Sequence, residues 1–165
     1  FHFSSMNRAL SFLFLIVATS LASATHAQQP DELDRQRLIN EVRNYKHDFL
    51  AKDLELTKSQ QNDFFALYDE MEERIEKLNS DTRDLVQRTI SDPAASDVEL
   101  DAAARAVYQL KNEESNIELE YFDHFKKILQ PRQLILLKNA ERKFTRQLMI
   151  QHRRLKNADP ERRKP

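Results

Sequence analysis

The sequence predicts an all-α fold, and three observations lead to that prediction. The chain of 165 residues contains no glycine, although glycine makes up about 7% of an average protein. Tight hairpin turns and strand bulges depend on glycine, so its absence disfavours sheets. Apolar residues recur at intervals of three and four over long segments, which is the period of an amphipathic helix. Related motifs, LTKSQ (56–60) and LQPRQ (129–133), precede two of those segments, so we expect four long helices.

The first two helices are predicted from their apolar stripes and from one start signal. We expect helix one over residues 30–52 and helix two from the motif LTKSQ to about residue 90. Thr57 is a good N-cap, and Gln60 is placed to close a capping box with it. The stripe of helix one comprises Leu38, Val42, Tyr45 and Phe49, and that of helix two comprises Phe64, Tyr68, Met71, Ile75, Leu78 and Leu85.

The last two helices follow recognisable breaks in the chain. Pro93 stops helix two, and Ser96 or Asp97 can cap helix three. Helix four is expected to begin at Pro131, because proline suits the first helical position and the preceding Gln130 is a poor cap. The stripe of helix three comprises Leu100, Val107, Leu110, Ile117, Tyr121, Phe125 and Ile128, and that of helix four comprises Leu134, Leu137, Phe144 and Leu148.

The N-terminal segment has the layout of a secretory signal peptide. Five residues precede Met6, which we take as the natural start, and Arg8 is then followed by an apolar run over residues 9–22 and by small residues. This run is shorter than the roughly 20 residues that span a bilayer. Cleavage is expected after Ala27, with Ala24 as a second option and an uncleaved anchor as the alternative. We therefore expect an exported protein without stable membrane insertion after cleavage.

The predicted organisation has three parts. Residues 1–27 are upstream residues and signal peptide, residues 28–157 form one helical domain, and residues 158–165 form a disordered basic tail. Helix two, at about 1.5 Å per residue, is expected to reach roughly 50 Å, which exceeds the diameter of about 37 Å for a compact globule of this size. Long hairpins bury little core by themselves, so we expect a homodimer.

Composition excludes several function classes. Without glycine there is no phosphate-binding loop or dinucleotide fingerprint, and without cysteine there is no thiolate or disulfide. The formal net charge is −1, so no overall basic field suggests nucleic acid. His47, His124 and His152 belong to no metal-binding motif, and the pair formed by Glu120 and His124 on one helix face is not a metal site by itself. No set of nucleophile, base and orienter is recognisable, so we expect neither an enzyme nor a cofactor.

Some apolar residues lie off the stripes, namely Phe65, Leu119 and Leu136. The simpler interpretation is burial against a third helix or a second copy of the chain. The alternative is a surface that binds partly unfolded client proteins, since loose apolar contacts mixed with cations accept many sequences. The cations considered for that surface include Arg142, Lys143 and Arg146.

The two motifs give the chain a family resemblance. An exported, glycine-free chain of four helices, with L-T-x-x-Q before one helix and a related motif before the last, resembles the Spy/CpxP family of periplasmic proteins. Leu56, Thr57 and Gln60 match the motif in full, whereas the second copy keeps Leu129 and Gln133 but has glutamine in place of threonine. The resemblance covers nearly the whole mature chain.

The resemblance implies a fold and a function. Members of that family are cradle-shaped antiparallel homodimers that act as ATP-independent chaperones or envelope-stress sensors. The resemblance therefore implies a periplasmic chaperone that holds unfolded or stressed envelope proteins on a concave surface. The alternative is a stress- or metal-responsive sensor that binds an envelope signalling protein. A structural helical spacer also fits the composition, but it gives no reason for the apolar residues outside the stripes.

Overall fold

A computed structural model describes residues 32–158, and the side chains from 33 to 154. Over these residues the chain forms four helices and no strand, so the predicted all-α class is confirmed. The helices are α1 (Glu32–Asp53), α2 (Lys58–Ser91), α3 (Asp97–Phe125) and α4 (Pro131–Ala158). None of these helices is long and apolar enough to cross a membrane. The predicted signal peptide, the expected helix start at residue 30 and the tail beyond residue 158 lie outside the described residues.

The chain divides into two compact units. One unit consists of residues 32–57 together with residues 131–158, in which α1 packs against α4. The other unit is the helical hairpin Lys58–Gln130, in which α2 packs against α3.

The helix starts fall where the sequence predicts them, and a cap is seen at the start of α3. Lys58 is the first residue of α2 and directly follows Thr57, while α4 begins at Pro131 as expected. At the start of α3, the Ser96 side chain accepts from the backbone N–H of Glu99, and the Glu99 carboxylate accepts from the backbone N–H of Ser96 at 2.8 Å. This is a complete capping box, which satisfies two backbone donors that the helix leaves unbonded.

The end of α1 is formed without the glycine that usually occupies such a position. Glu55 has φ of 53°, in the left-handed region. The backbone N–H of Leu56 donates to the carbonyl of Ala51 at 2.9 Å, and that of Glu55 donates to Lys52 at 3.3 Å. These two hydrogen bonds define a Schellman motif. A residue other than glycine in its left-handed position costs about 1–2 kcal/mol. The turn before the first motif is therefore strained.

The hairpin has an aromatic core near its open end. The rings of Phe64 and Phe125 lie 5.0 Å apart between centroids, and Tyr68 and Tyr121 pack around them. All four residues are buried. The four rings contribute much of the apolar area that joins α2 to α3.

Further along the hairpin a polar pair replaces the apolar stripe. The amide of Asn79 donates to the Glu114 carboxylate at 2.6 Å, and both residues are buried. Beyond this pair the stripe predictions are partly wrong, because Leu85, Leu100 and Val107 are exposed. On α3, Ala103 is buried instead of Leu100 and Val107, so the contacting face of α3 includes Ala103 rather than those two residues. Ile128 also lies outside α3, which ends at Phe125.

The α1–α4 unit has a smaller aromatic centre. Phe144 is buried, and its ring lies 5.5 Å from that of Tyr45 and 5.7 Å from that of Phe49. The other buried apolar residues of this unit are Leu50, Leu54, Leu56, Leu137 and Ala140. The predicted residues Leu137 and Phe144 therefore do form the buried face of α4.

Candidate functional site

The two motif glutamines form long-range hydrogen bonds to main-chain carbonyls. Within the hairpin, the Nε2 atom of Gln60 donates to the carbonyl oxygen of Ile128 at 2.9 Å. Within the α1–α4 unit, the Nε2 atom of Gln133 donates to the carbonyl oxygen of Leu54 at 3.1 Å. Each glutamine thus bonds the turn that precedes the other copy of the motif. Helix capping links residues only a few positions apart. It therefore does not account for these two hydrogen bonds, which join residues 68 and 79 positions apart.

The motif leucines are buried and the motif threonine is not. Leu56 and Leu129 belong to the buried apolar set, whereas Thr57 is exposed. A buried leucine beside a glutamine that satisfies a turn carbonyl fixes the path of the chain into the next helix. The motif residues therefore have a structural role at both helix starts.

The candidate client-binding residues are divided between the two units. Phe65 and Leu119 belong to the hairpin, and Leu136, Arg142, Lys143 and Arg146 belong to α4. Phe65 is half-buried, with its ring 5.2 Å from that of Phe64. Leu119 is 65% exposed, so of the two only Leu119 presents most of its surface to solvent.

The candidate residues of α4 differ in their surroundings. Leu136 and Arg142 are half-buried, and Arg146 is exposed. The ammonium group of Lys143 lies 2.9 Å and 3.0 Å from the two carboxylate oxygens of Asp53. Of the three predicted cations, Lys143 and Arg146 are therefore exposed, and Lys143 is engaged by Asp53.

The sequence-based selection missed two residues on the same side of α3 as Leu119. Tyr108 is 86% exposed and Phe122 is 42% exposed. Tyr108 precedes Leu119 by eleven residues and Phe122 follows it by three, so the three side chains share one helix face. This spacing was a usable signal. We call Tyr108, Leu119 and Phe122 the outer apolar face of α3.

A network of charged and aromatic groups joins α2 to α3 beside the aromatic core. The Arg74 guanidinium donates to both carboxylate oxygens of Glu120, at 2.8 Å and 2.9 Å, and lies 5.4 Å from the centre of the Tyr121 ring. These hydrogen bonds from Arg74 to Glu120 lower the pKa of Glu120 and raise the pKa of Arg74. Burial raises the pKa of Tyr121. Glu120 is therefore engaged by Arg74 rather than arranged with His124 as a ligand pair.

Charge is distributed unequally between the two units. Residues 58–130 contain nine basic and seventeen acidic residues, a net charge of −8. The described part of the α1–α4 unit contains thirteen basic and seven acidic residues, a net charge of +6. The net charge of the whole chain is therefore close to zero although the hairpin is acidic and the α1–α4 unit is basic.

No group of three histidine or acidic side chains that could hold a metal ion is found among residues 32–158. The predictions about enzymes, metals and cofactors remain predictions from sequence. No family model, curated protein or solved structure matches the chain.

Proposed function

We propose that this chain is an exported, ATP-independent chaperone that binds partly unfolded proteins and acts as a homodimer in the periplasm. The observation that carries the proposal is the outer apolar face of α3, where Tyr108, Leu119 and Phe122 are exposed. Soluble proteins rarely group large apolar side chains on the surface without using them for binding. The hairpin already has its own core in Phe64, Tyr68, Tyr121 and Phe125, so this face is not needed to join α2 to α3.

The chemistry of this face suits unfolded chains better than one shaped partner. An aliphatic and two aromatic side chains along a single helix offer shallow contacts without directional hydrogen bonds, and such contacts accept many apolar sequences. Each contact is weak, so a client can bind and leave without an energy source. Cations on α4, of which Arg146 is exposed, would attract acidic clients from a distance.

Two further observations support the proposal. The all-helical fold agrees with the resemblance to the Spy/CpxP family. The two motif glutamines, which belong to the residues that carry the resemblance, make matching hydrogen bonds. Each of them donates to a carbonyl in the turn before the other motif.

An aggregation assay without ATP tests this function. Several unrelated proteins are unfolded in the presence of the purified chain, and light scattering is recorded. We expect wild type to suppress scattering of all clients, and Tyr108→Ser/Leu119→Ser to lose most of that protection for every client together. Leu33→Ser is the matched control, because Leu33 is an exposed leucine on α1. Circular dichroism confirms that each variant retains its helices.

Two results would overturn the chaperone proposal. One is wild-type protein that protects no client. The other is tight capture of one envelope signalling protein without protection of unfolded clients, which would favour the sensor. Sedimentation of the same preparation tests the homodimer separately.

A further inference from the structure

Helix α4 carries a second face that neither its packing nor the motif explains. The whole helix contains eight basic residues and one acidic residue, and that acidic residue, Glu141, is buried. The accessible surface of α4 therefore presents positive charge uninterrupted by a carboxylate of its own helix.

Four of the basic residues form a line along the helix together with two isoleucines. Successive spacings of 3, 7, 4, 4 and 3 residues place six side chains within about 80° on the helix. We call them the cationic stripe: Arg132, Ile135, Arg142, Arg146, Ile150 and Arg153.

The cationic stripe faces away from the packed side of α4. Leu137 and Phe144, which form the buried face, lie on roughly the opposite side of the helix. Ile135 is 79% exposed and Ile150 is 42% exposed. Arg132, Arg146 and Arg153 are exposed as well. Five of its six residues are thus exposed and Arg142 is half-buried, and the stripe is about 31 Å long, at about 1.5 Å per residue.

We propose that the cationic stripe binds the surface of a membrane that contains anionic phospholipids, with α4 lying in the plane of the interface. Arginines in a line complement the negative surface of such a leaflet. The two isoleucines supply apolar side chains that can enter the boundary between headgroups and acyl chains. This proposal goes beyond client binding and does not depend on it.

A lipid surface fits the stripe better than a soluble acidic polypeptide. The outer face of one helix is convex and does not enclose a peptide, whereas a bilayer surface can follow it along its full length. The acidic hairpin, with a net charge of −8, would be repelled by the same leaflet, so the attraction is expected from the α1–α4 unit alone.

Vesicle flotation tests the proposal. The full chain is mixed with vesicles of equal parts phosphatidylglycerol and phosphatidylcholine, or of phosphatidylcholine alone, at low and high salt. We expect tighter binding to the anionic vesicles than to phosphatidylcholine alone, and a smaller difference between the two at high salt. One basic residue near an anionic leaflet contributes a factor of roughly five in affinity. Arg142→Gln/Arg146→Gln/Arg153→Gln should therefore weaken binding by at least about tenfold.

A matched variant controls for net charge. Arg83→Gln/Arg88→Gln/Arg105→Gln removes three exposed arginines from the hairpin and should bind vesicles like wild type. All these proteins share the apolar segment 9–22, so differences between them report the helices. Ile135→Ser/Ile150→Ser should also weaken binding, because it removes the apolar contacts while leaving every charge.

Three outcomes would overturn the proposal. The α4 triple variant could bind anionic vesicles as wild type does, or the hairpin triple variant could lose binding equally. The third is polyglutamate binding as tight as vesicle binding, with the isoleucine variant unaffected, which would identify the ligand as an acidic polypeptide. Circular dichroism must show equal helix content, and a stripe variant that unfolds is replaced by the single change Arg153→Gln, near the end of the described side chains.

Discussion

The hairpin and the α1–α4 unit are built from the same kind of element, but they differ in charge and in what they leave exposed. The hairpin is acidic, with a net charge of −8, and exposes apolar side chains along α3. The described α1–α4 unit has a net charge of +6 and exposes a line of cations along α4. Local surface chemistry, rather than the total charge of −1, therefore indicates which partners each unit attracts.

Each unit has a motif glutamine that bonds a turn carbonyl, but the hydrogen bonds between fully buried groups differ between the two units. In the hairpin, two side chains bond each other, since Asn79 donates to Glu114. In the α1–α4 unit, a side chain satisfies the main chain, since Gln133 donates to Leu54. A buried side-chain pair can be replaced on both helices by apolar residues at little cost, whereas a main-chain carbonyl cannot be removed by mutation. The two arrangements should therefore respond differently to substitution.

The largest effect is expected in the aromatic core of the hairpin. Phe64 is fully buried, so Phe64→Ala should lower the free energy of unfolding by about 3–5 kcal/mol. Leu119→Ala, on the exposed face of the neighbouring helix, should change it by less than about 0.5 kcal/mol. Urea unfolding followed by circular dichroism measures both. Equal losses in the two variants would mean that Leu119 is a core or interface residue and is not available to clients.

An intermediate effect should separate the two motif glutamines. Gln133 is buried and Gln60 is half-buried. Gln133→Ala should therefore cost about 1–3 kcal/mol by leaving a buried carbonyl without its donor, and Gln60→Ala should cost about 0.5–1.5 kcal/mol. Gln109→Ala, at an exposed position of α3, serves as the control. If neither motif variant differs from this control in urea, the long-range hydrogen bonds do not hold the turns.

The smallest effect concerns pH at the start of α3. Hydrogen bonds from the backbone and side chain of Ser96 hold the pKa of Glu99 below its ordinary value of 4.5. The stabilisation from this lowered pKa is present above about pH 4.5 and is lost as the pH falls through the folded-state value. Glu99→Gln, which can keep the cap but cannot titrate, should make hairpin stability less dependent on pH below about 4.5. Unfolding midpoints between pH 3 and pH 7 check this, and parallel curves for wild type and variant would contradict it.

The helix starts were predictable because their causes are local. Ser96 and Glu99 lie three residues apart, and Pro131 suits the first turn of a helix wherever it occurs. The helix-end strain at Glu55 was not predictable in the same way, because no glycine marks that turn. The bonds of Gln60 and Gln133 could not be foreseen, since they depend on turns 68 and 79 residues distant.

Periodicity found the helices better than it found their buried faces. Glu114 lies at a stripe position between Leu110 and Ile117 and is buried, but a stripe predicted from apolar residues does not include it, because charged residues are rarely buried. Leu100 and Val107 keep helical spacing but are exposed, since spacing does not report where a facing helix lies. For the candidate surface, spacing identified Leu119 and could have identified Tyr108 and Phe122, but only the structure distinguishes their exposure from that of Phe65.

Site-specific photo-cross-linking tests most directly whether the outer apolar face of α3 binds unfolded proteins. A photoreactive phenylalanine analogue replaces Tyr108 or Leu119, or the exposed polar residue Gln87 of α2 as a control, and unfolding clients are irradiated with each protein without ATP. We expect adducts with several unrelated clients from positions 108 and 119, and few from position 87. Equal yields from all three positions, or no adducts from positions 108 and 119 while the protein still suppresses aggregation, would contradict the assignment of this face.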